Sequence, residues 1–179
     1  MRPQETIQAF DVFLAARGLK LDAVVVGGAA LALLGVITRE TRDCDVMVPE
    51  LPAQILDAAR AFAAEVRGRG DVLRDDWLNN GPADVAKVLP PGWEARLQQA
   101  FFGSALVLRT LGRADLLKTK LFALCDRGQD IGDCLALAPT VEELREALAW
   151  VQDQDANTMW PEHVEATLAD LGRRLGHGV

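Results

Sequence analysis

The run AVVVGGAALALLGVI at 23–37 constrains the chain more than any other stretch. It is 15 residues long, and a helix that crosses a membrane needs about 20 apolar residues. The run therefore reads as buried core. Leu21–Val26 is rich in valine and predicts a short buried strand. Gly27-Gly28 interrupts it, and AALALLG predicts a compact apolar helix that stops at Gly35. A strand that turns through two glycines into a helix lets backbone N–H groups come close to an anion, because glycine has no side chain in the way. The same two glycines also suit a tight turn and close helix packing.

The next element is TRDCDVMV, read as a strand over 43–48 and ended by Pro49. Asp43 and Asp45 are two apart, so both carboxylates leave one side of the strand while Cys44, Val46 and Val48 point to the other. Two like charges held together cost energy unless something positive sits between them. Arg39 and Arg42 are near enough in sequence to neutralise the pair. The other solution is a magnesium ion, which takes a few carboxylates together with phosphate oxygens of a substrate.

Around these pieces the periodicity predicts a helix over 3–17, with Pro3 in its first turn, and another from Pro52 to about Val66. The middle is irregular, with short strands expected at 71–74 and 84–89 and turns at 79–82 and 90–92. SALVLRTL at 104–111 reads as a further strand. The chain is then helical at about 114–126, 129–138, 141–153 and 161–175, with Thr140 and Glu143 forming a capping-box pattern. The expected fold is α/β (α+β): a small mixed-sheet core over 1–112 and a helical C-terminal part over 113–179 packed on it. At 100° per residue, Lys120 falls inside the apolar arc of Leu117, Leu121 and Leu124. A charge placed there must snorkel outward, pair with an acid such as Asp130 or Asp133, or meet an anion in a cleft.

Composition narrows the partners. A net charge of −7 over 179 residues argues against broad DNA or RNA binding, which rewards basic surfaces. Three cysteines without regular spacing suit a reducing compartment rather than a disulfide scaffold. No signal-peptide run opens the sequence, so the expectation is a cytoplasmic protein with no membrane partner.

The order strand, Gly-Gly, helix, then D-x-D about 16 residues on resembles the nucleotidyltransferase superfamily. The Thr-Arg-Asp-x-Asp form looks like the small bacterial branch related to abortive-infection (toxin–antitoxin) nucleotidyltransferases. The resemblance covers roughly residues 20–150. It implies nucleotide contacts at Gly27, Gly28, Arg42 and Lys120, metal binding at Asp43 and Asp45, and catalytic roles for Asp43, Asp45 and Lys120. The implied activity is magnesium-dependent transfer of a nucleoside monophosphate from an NTP to a hydroxyl of a protein, an RNA or a small molecule. Lys120, Arg127, Asp130 and Asp133 match a pattern that recurs in that branch, and Asn79 and Asn80 follow a Trp-Leu that recurs with them. Active members commonly carry a third carboxylate on a later core strand, where SALVLRTL has Arg109 and no acid. The alternative is therefore a catalytically weak or inactive nucleotide-binding module, or a toxin–antitoxin component with a cognate partner protein.

Overall fold

Leu21–Val26 forms strand β1, the middle of a five-stranded sheet. The computed structural model describes residues 1–177, and the chain divides into two compact units, Met1–Leu111 and Gly112–Val179. The first unit holds the whole sheet, and the fold is α/β (α+β). Helix α1 (Pro3–Ala15) precedes β1, and helix α2 (Gly27–Leu33) follows it without a loop. Strand β2 is Cys44–Val48, helix α3 Ala53–Gly68, strand β3 Leu78–Asn79 and the single-turn helix α4 Val85–Val88. A 3-10 turn at Trp93–Arg96 leads into β4 (Gln98–Phe102) and β5 (Leu106–Thr110). The strand order is β3-β2-β1-β5-β4. β1 runs antiparallel to β2 and parallel to β5, β2 is parallel to β3, and β4 is antiparallel to β5.

Alternation along the strands decides which side chains face the α1 and α3 layer, although Val24 and Val26 on the other face of β1 are buried too. Leu21, Ala23 and Val25 of β1, Cys44 and Val46 of β2, and Leu106 and Leu108 of β5 join Ile7, Phe10 and Leu14 of α1 and Ile55, Ala59 and Phe62 of α3 in one apolar core. Full burial of a large aliphatic or aromatic side chain is worth about 1.5–3 kcal/mol, so this layer dominates the stability of the unit. Trp77 closes it: its ring lies 5.0 Å from Phe10 in an edge-on arrangement, and its indole N–H donates to the Ala59 carbonyl at 3.1 Å. In β2 the alternation breaks. Val24 pairs with Val48 but Val25 pairs with Val46, an irregular register that buries both Val46 and Met47 and leaves Val48 half-buried. The strand also starts at Cys44, one residue later than the sequence predicts.

Asp11, on α1, is 8% exposed and ties this helix to the β4–β5 hairpin. Its carboxylate accepts from the backbone N–H groups of Ser104 (3.1 Å), Ala105 (2.8 Å) and Leu106 (2.7 Å), and from the Ser104 hydroxyl (3.1 Å). A Cβ on Gly103 would overlap that carboxylate.

Two predicted strands are absent. Residues 71–74 run outside the sheet, with the Arg67 guanidinium donating to the Leu73 carbonyl at 2.7 Å and pairing with Asp75 at 2.7 Å. The sheet is joined only after Trp77, whose carbonyl accepts from Cys44 N–H and sets Leu78–Asn79 in register. Residues 84–89 contain α4 instead of a strand. Its β-branched valines favour extension, but Asp84 pairs with Lys87 one turn on at 2.6 Å, and Pro90 follows. Strand β4, in turn, has no counterpart among the predicted elements. It is shaped by the hairpin turn that Asp11 clasps rather than by a period of its own.

The second unit contains α5 (Arg113–Arg127), α6 (Ile131–Leu137), α7 (Val141–Gln152) and α8 (Trp160–Arg174). Gly128 ends α5 in the left-handed region at φ +67°. The capping box opens α7: Thr140 Oγ1 accepts from Glu143 N–H at 3.1 Å, and Glu143 accepts from Thr140 N–H at 2.9 Å. Lys120 of α5 reaches Asp130 at 2.9 Å and Asp133 at 2.6 Å, where the three side chains are 8%, 15% and 2% exposed. Burial alone would push the lysine's pKa down, but hydrogen bonds from Nζ to Asp133 and Asp130 outweigh it and hold it above its ordinary value. Among the described residues, no helix is long and apolar enough to cross a membrane.

Candidate functional site

The junction of β1 and α2 fixes the site. Gly27 has φ +75°, a conformation that L side chains rarely adopt. It has a second reason to be glycine, because a Cβ there would stand 2.8 Å from Asp45 Oδ2. A Cβ on Gly28 would stand 3.2 Å from Thr41 Cγ2 and 3.6 Å from a guanidinium nitrogen of Arg39. The Gly-Gly turn thus lies directly against the segment that carries the acids.

Sheet register supplies the other side. Val26 pairs with Asp45 across β1 and β2, and Asp45 pairs with Asn79 across β2 and β3. Asn79 Nδ2 donates to Asp45 Oδ1 at 3.2 Å, while Asn79 Oδ1 accepts from Gly81 N–H at 2.7 Å. Asn80 fastens the end of β2: its Oδ1 accepts from Leu51 N–H at 2.7 Å, and its Nδ2 donates to the Val46 carbonyl at 3.0 Å and the Pro49 carbonyl at 2.9 Å. Asp43 lies just before β2. The Thr41 hydroxyl donates to its carbonyl at 3.2 Å, and Thr41 N–H donates to the Met1 carbonyl at 3.0 Å.

Both carboxylates are half-buried and Arg42 is exposed. Cys44 between them is fully buried, and burial, then Asp45 and Asp43, push its thiol far above the ordinary range, so it stays protonated. Arg74 is held by Asp76 through two nitrogens at 2.6 and 2.8 Å. Hydrogen bonding to Asp76 and its charge raise the guanidinium's pKa, and the charge of Asp43 adds a smaller contribution. The sequence gives no sign of this, because Arg74 lies about 30 residues from the D-x-D with no periodic pattern to place it.

Gly27, Gly28 and Asp45 therefore meet where the central strand β1 ends, with Arg39 and Thr41 against Gly28 and Asn79 on Asp45, and Asp43 lies two residues earlier on the same segment. Lys120 belongs to the helical unit, where its charge is met by Asp130 and Asp133. Arg109, on the strand where a further acid would be expected, pairs with Asp22 at 2.7 Å. Asp75, Asp76 and Asp84 are engaged by Arg67, Arg74 and Lys87.

The donor chemistry fits one magnesium ion in part. Magnesium is usually held by one or two carboxylates, with waters and substrate phosphates completing its shell. Asp43 and Asp45 are two such groups, and Asp45 lies against Gly27. Among the described residues, no group of three or more His, Cys, Asp or Glu side chains is placed to hold a metal. Two acids alone do not form a closed protein cage, so an ion there would take the rest of its shell from water or a substrate.

A strand, a Gly-Gly turn and a D-x-D on the antiparallel neighbour, within a small mixed sheet, define a nucleotidyltransferase-like core. Residues 5–145 match the family described as nucleotidyltransferase of unknown function (DUF6036), and the chain belongs to that family. No curated protein and no solved structure gives a significant match.

Proposed function

We propose that this protein is a magnesium-dependent nucleotidyltransferase that uses an NTP. The observation that carries the reading is the close approach of the Gly27 turn to the Asp45 carboxylate, with Asp43 two residues earlier on the same segment. Gly27 and Gly28 present backbone to the triphosphate without a Cβ between them. Asp43 and Asp45 would hold the metal, which when bound supplies charge neutralisation and alignment of the phosphates. Arg42, one residue from Asp43, and Arg39, over Gly28, offer guanidinium charge to phosphate oxygens as negative charge builds. The acceptor hydroxyl oxygen bonds to the α-phosphorus as the bond to the β-phosphate oxygen breaks. Pyrophosphate leaves, and the hydroxyl proton passes to water. Lys120 is assigned to the internal ion pair of the helical unit, the alternative that the sequence left open for it.

A second reading follows if Asp43 and Asp45 act alone, since among the described residues no group of three or more His, Cys, Asp or Glu side chains is placed to hold a metal. A site built from two acids binds a nucleotide with one cation and turns it over slowly or not at all, as a nucleotide-binding module or a component of a toxin–antitoxin pair. One pair of assays separates the readings. ATP, GTP, CTP and UTP are titrated calorimetrically into wild type and the Asp43→Ala/Asp45→Ala variant, with and without magnesium. Magnesium-dependent binding that disappears in an equally stable variant supports the site. Labelled nucleotide is then offered to cell extract, and transfer distinguishes the enzyme from the binding module. Absence of binding by all four nucleotides in folded wild type refutes both.

A further inference from the structure

Two of the hydrogen bonds of the Asn79 side chain together assign it a task. Its Oδ1 is taken by Gly81 N–H at 2.7 Å, which fixes the amide's orientation and turns Nδ2 toward Asp45 Oδ1 at 3.2 Å. The other oxygen, Oδ2, faces Gly27, where a single added carbon would lie 2.8 Å away. Asp45 is thus confined on both sides, by a donor on β3 and by the glycine turn after β1. The register Asp45↔Asn79 is itself set by β2–β3 pairing, so Asn79 approaches from a strand and not from a loose loop. The Asp76 carbonyl also lies 3.5 Å from Nδ2, a weaker contact than the one to Asp45.

We infer that Asn79 is a positioning residue for Asp45, holding its carboxylate in the orientation that receives a divalent cation; this rests on the functional reading above. The chemistry explains the residue type. A donor is needed to hold an ionised carboxylate, and a second acid in the same place would repel it. Groups that orient a metal ligand from behind typically change metal affinity by about 10–100-fold when removed. Asn79 does not touch the reacting atoms in this scheme; it acts through Asp45.

The test titrates Mn2+, a magnesium surrogate visible by electron paramagnetic resonance, into the full chain with and without ATP. Wild type, Asn79→Ala and Gly81→Ala are compared. Gly81→Ala leaves Asn79 in place, but its Cβ would meet Asn79 Oδ1 at 2.9 Å and displace the amide. Both variants are expected to bind Mn2+ at least about tenfold more weakly while their melting midpoints stay within a few degrees of wild type. Asn79 is half-buried at the sheet edge, so little packing is lost. If both variants bind Mn2+ as wild type does, the positioning role is wrong and the functional reading survives. A fall in melting midpoint with unchanged Mn2+ affinity overturns the role equally, since it leaves only a structural one. If wild type binds no Mn2+, with ATP or without it, the functional reading and the inference fall together.

Discussion

Replacing Asp11 with alanine should cost the protein more stability than its place on the first helix suggests. The carboxylate accepts four hydrogen bonds, three of them from consecutive backbone N–H groups of the β4–β5 hairpin, and is 8% exposed. A buried donor left without a partner costs about 1–3 kcal/mol. The Ala105 and Leu106 N–H groups are in buried surroundings, and Ser104 is closer to water. The sum for Asp11→Ala is about 3–5 kcal/mol, or on the order of 10 °C in melting midpoint for a chain of this size. Asp11→Asn keeps one acceptor oxygen and should lose roughly half as much. Acid adds an independent check. Burial alone would raise the carboxyl's pKa, but bonds from the Ala105, Ser104 and Leu106 backbone and the Ser104 hydroxyl outweigh it and hold it below the ordinary 3.8. The unfolded chain therefore takes up the proton first. Stabilisation by Asp11 is fully present above that ordinary value and fades as pH falls through the lowered folded one. Guanidinium unfolding followed by tryptophan fluorescence, from about pH 7 down to about 3, should show a wild-type-to-alanine gap that narrows only below about pH 4. A loss under about 1 kcal/mol, or a gap unaffected by acid, would refute the reasoning.

Two other substitutions probe the remaining charge clusters. Gly27→Ala puts a Cβ 2.8 Å from Asp45 Oδ2 at a positive φ, and should abolish magnesium-dependent nucleotide binding for about 1–2 kcal/mol of stability. Calorimetry and a melting curve on the same sample read both effects. Lys120→Met leaves Asp133 buried beside Asp130 without the lysine and should cost about 3–5 kcal/mol, with nucleotide affinity of the folded variant unchanged. A Lys120→Met chain of wild-type stability that no longer binds ATP would move Lys120 into the phosphate site. Because the folded lysine's pKa is raised, its contribution to stability is present below the ordinary value and is lost as pH climbs through the folded one.

The parts legible in the sequence share one property: their partners are close in the chain or imposed by a strong period. Strand β1 has few alternatives, because its six residues run straight into Gly-Gly. Thr140 with Glu143 specifies a helix start by contact three residues apart. The acids of the D-x-D are legible as a pair for the same reason. The burial of Met47 depends on a register irregularity against β1, which no property of β2 alone announces. Residues 84–89 mislead because valine's preference for extension has no neighbouring strand to satisfy it, while an Asp84–Lys87 pair is available at once. Arg74 and the bond from Asn79 to Asp45 gain meaning only in the folded sheet, which sets Asp45 opposite Asn79 and brings Arg74 within electrostatic reach of Asp43. Their link to the acids is geometric, and for Asn79 it spans 34 residues.

The cysteines give the protein a built-in reporter. Cys44 lies in the sheet unit and Cys125 and Cys134 in the helical unit, and all three are buried, free thiols. Burial raises Cys125 to about 11 and Cys134 to about 12, and Cys44 higher still, so none offers a thiolate at neutral pH while folded. Alkylation must then wait for local opening, and the rate at which each sulfur is capped becomes a clock for its own surroundings. Mass spectrometry of the capped peptides would time the breathing of the two units separately, without a mutation or a known substrate.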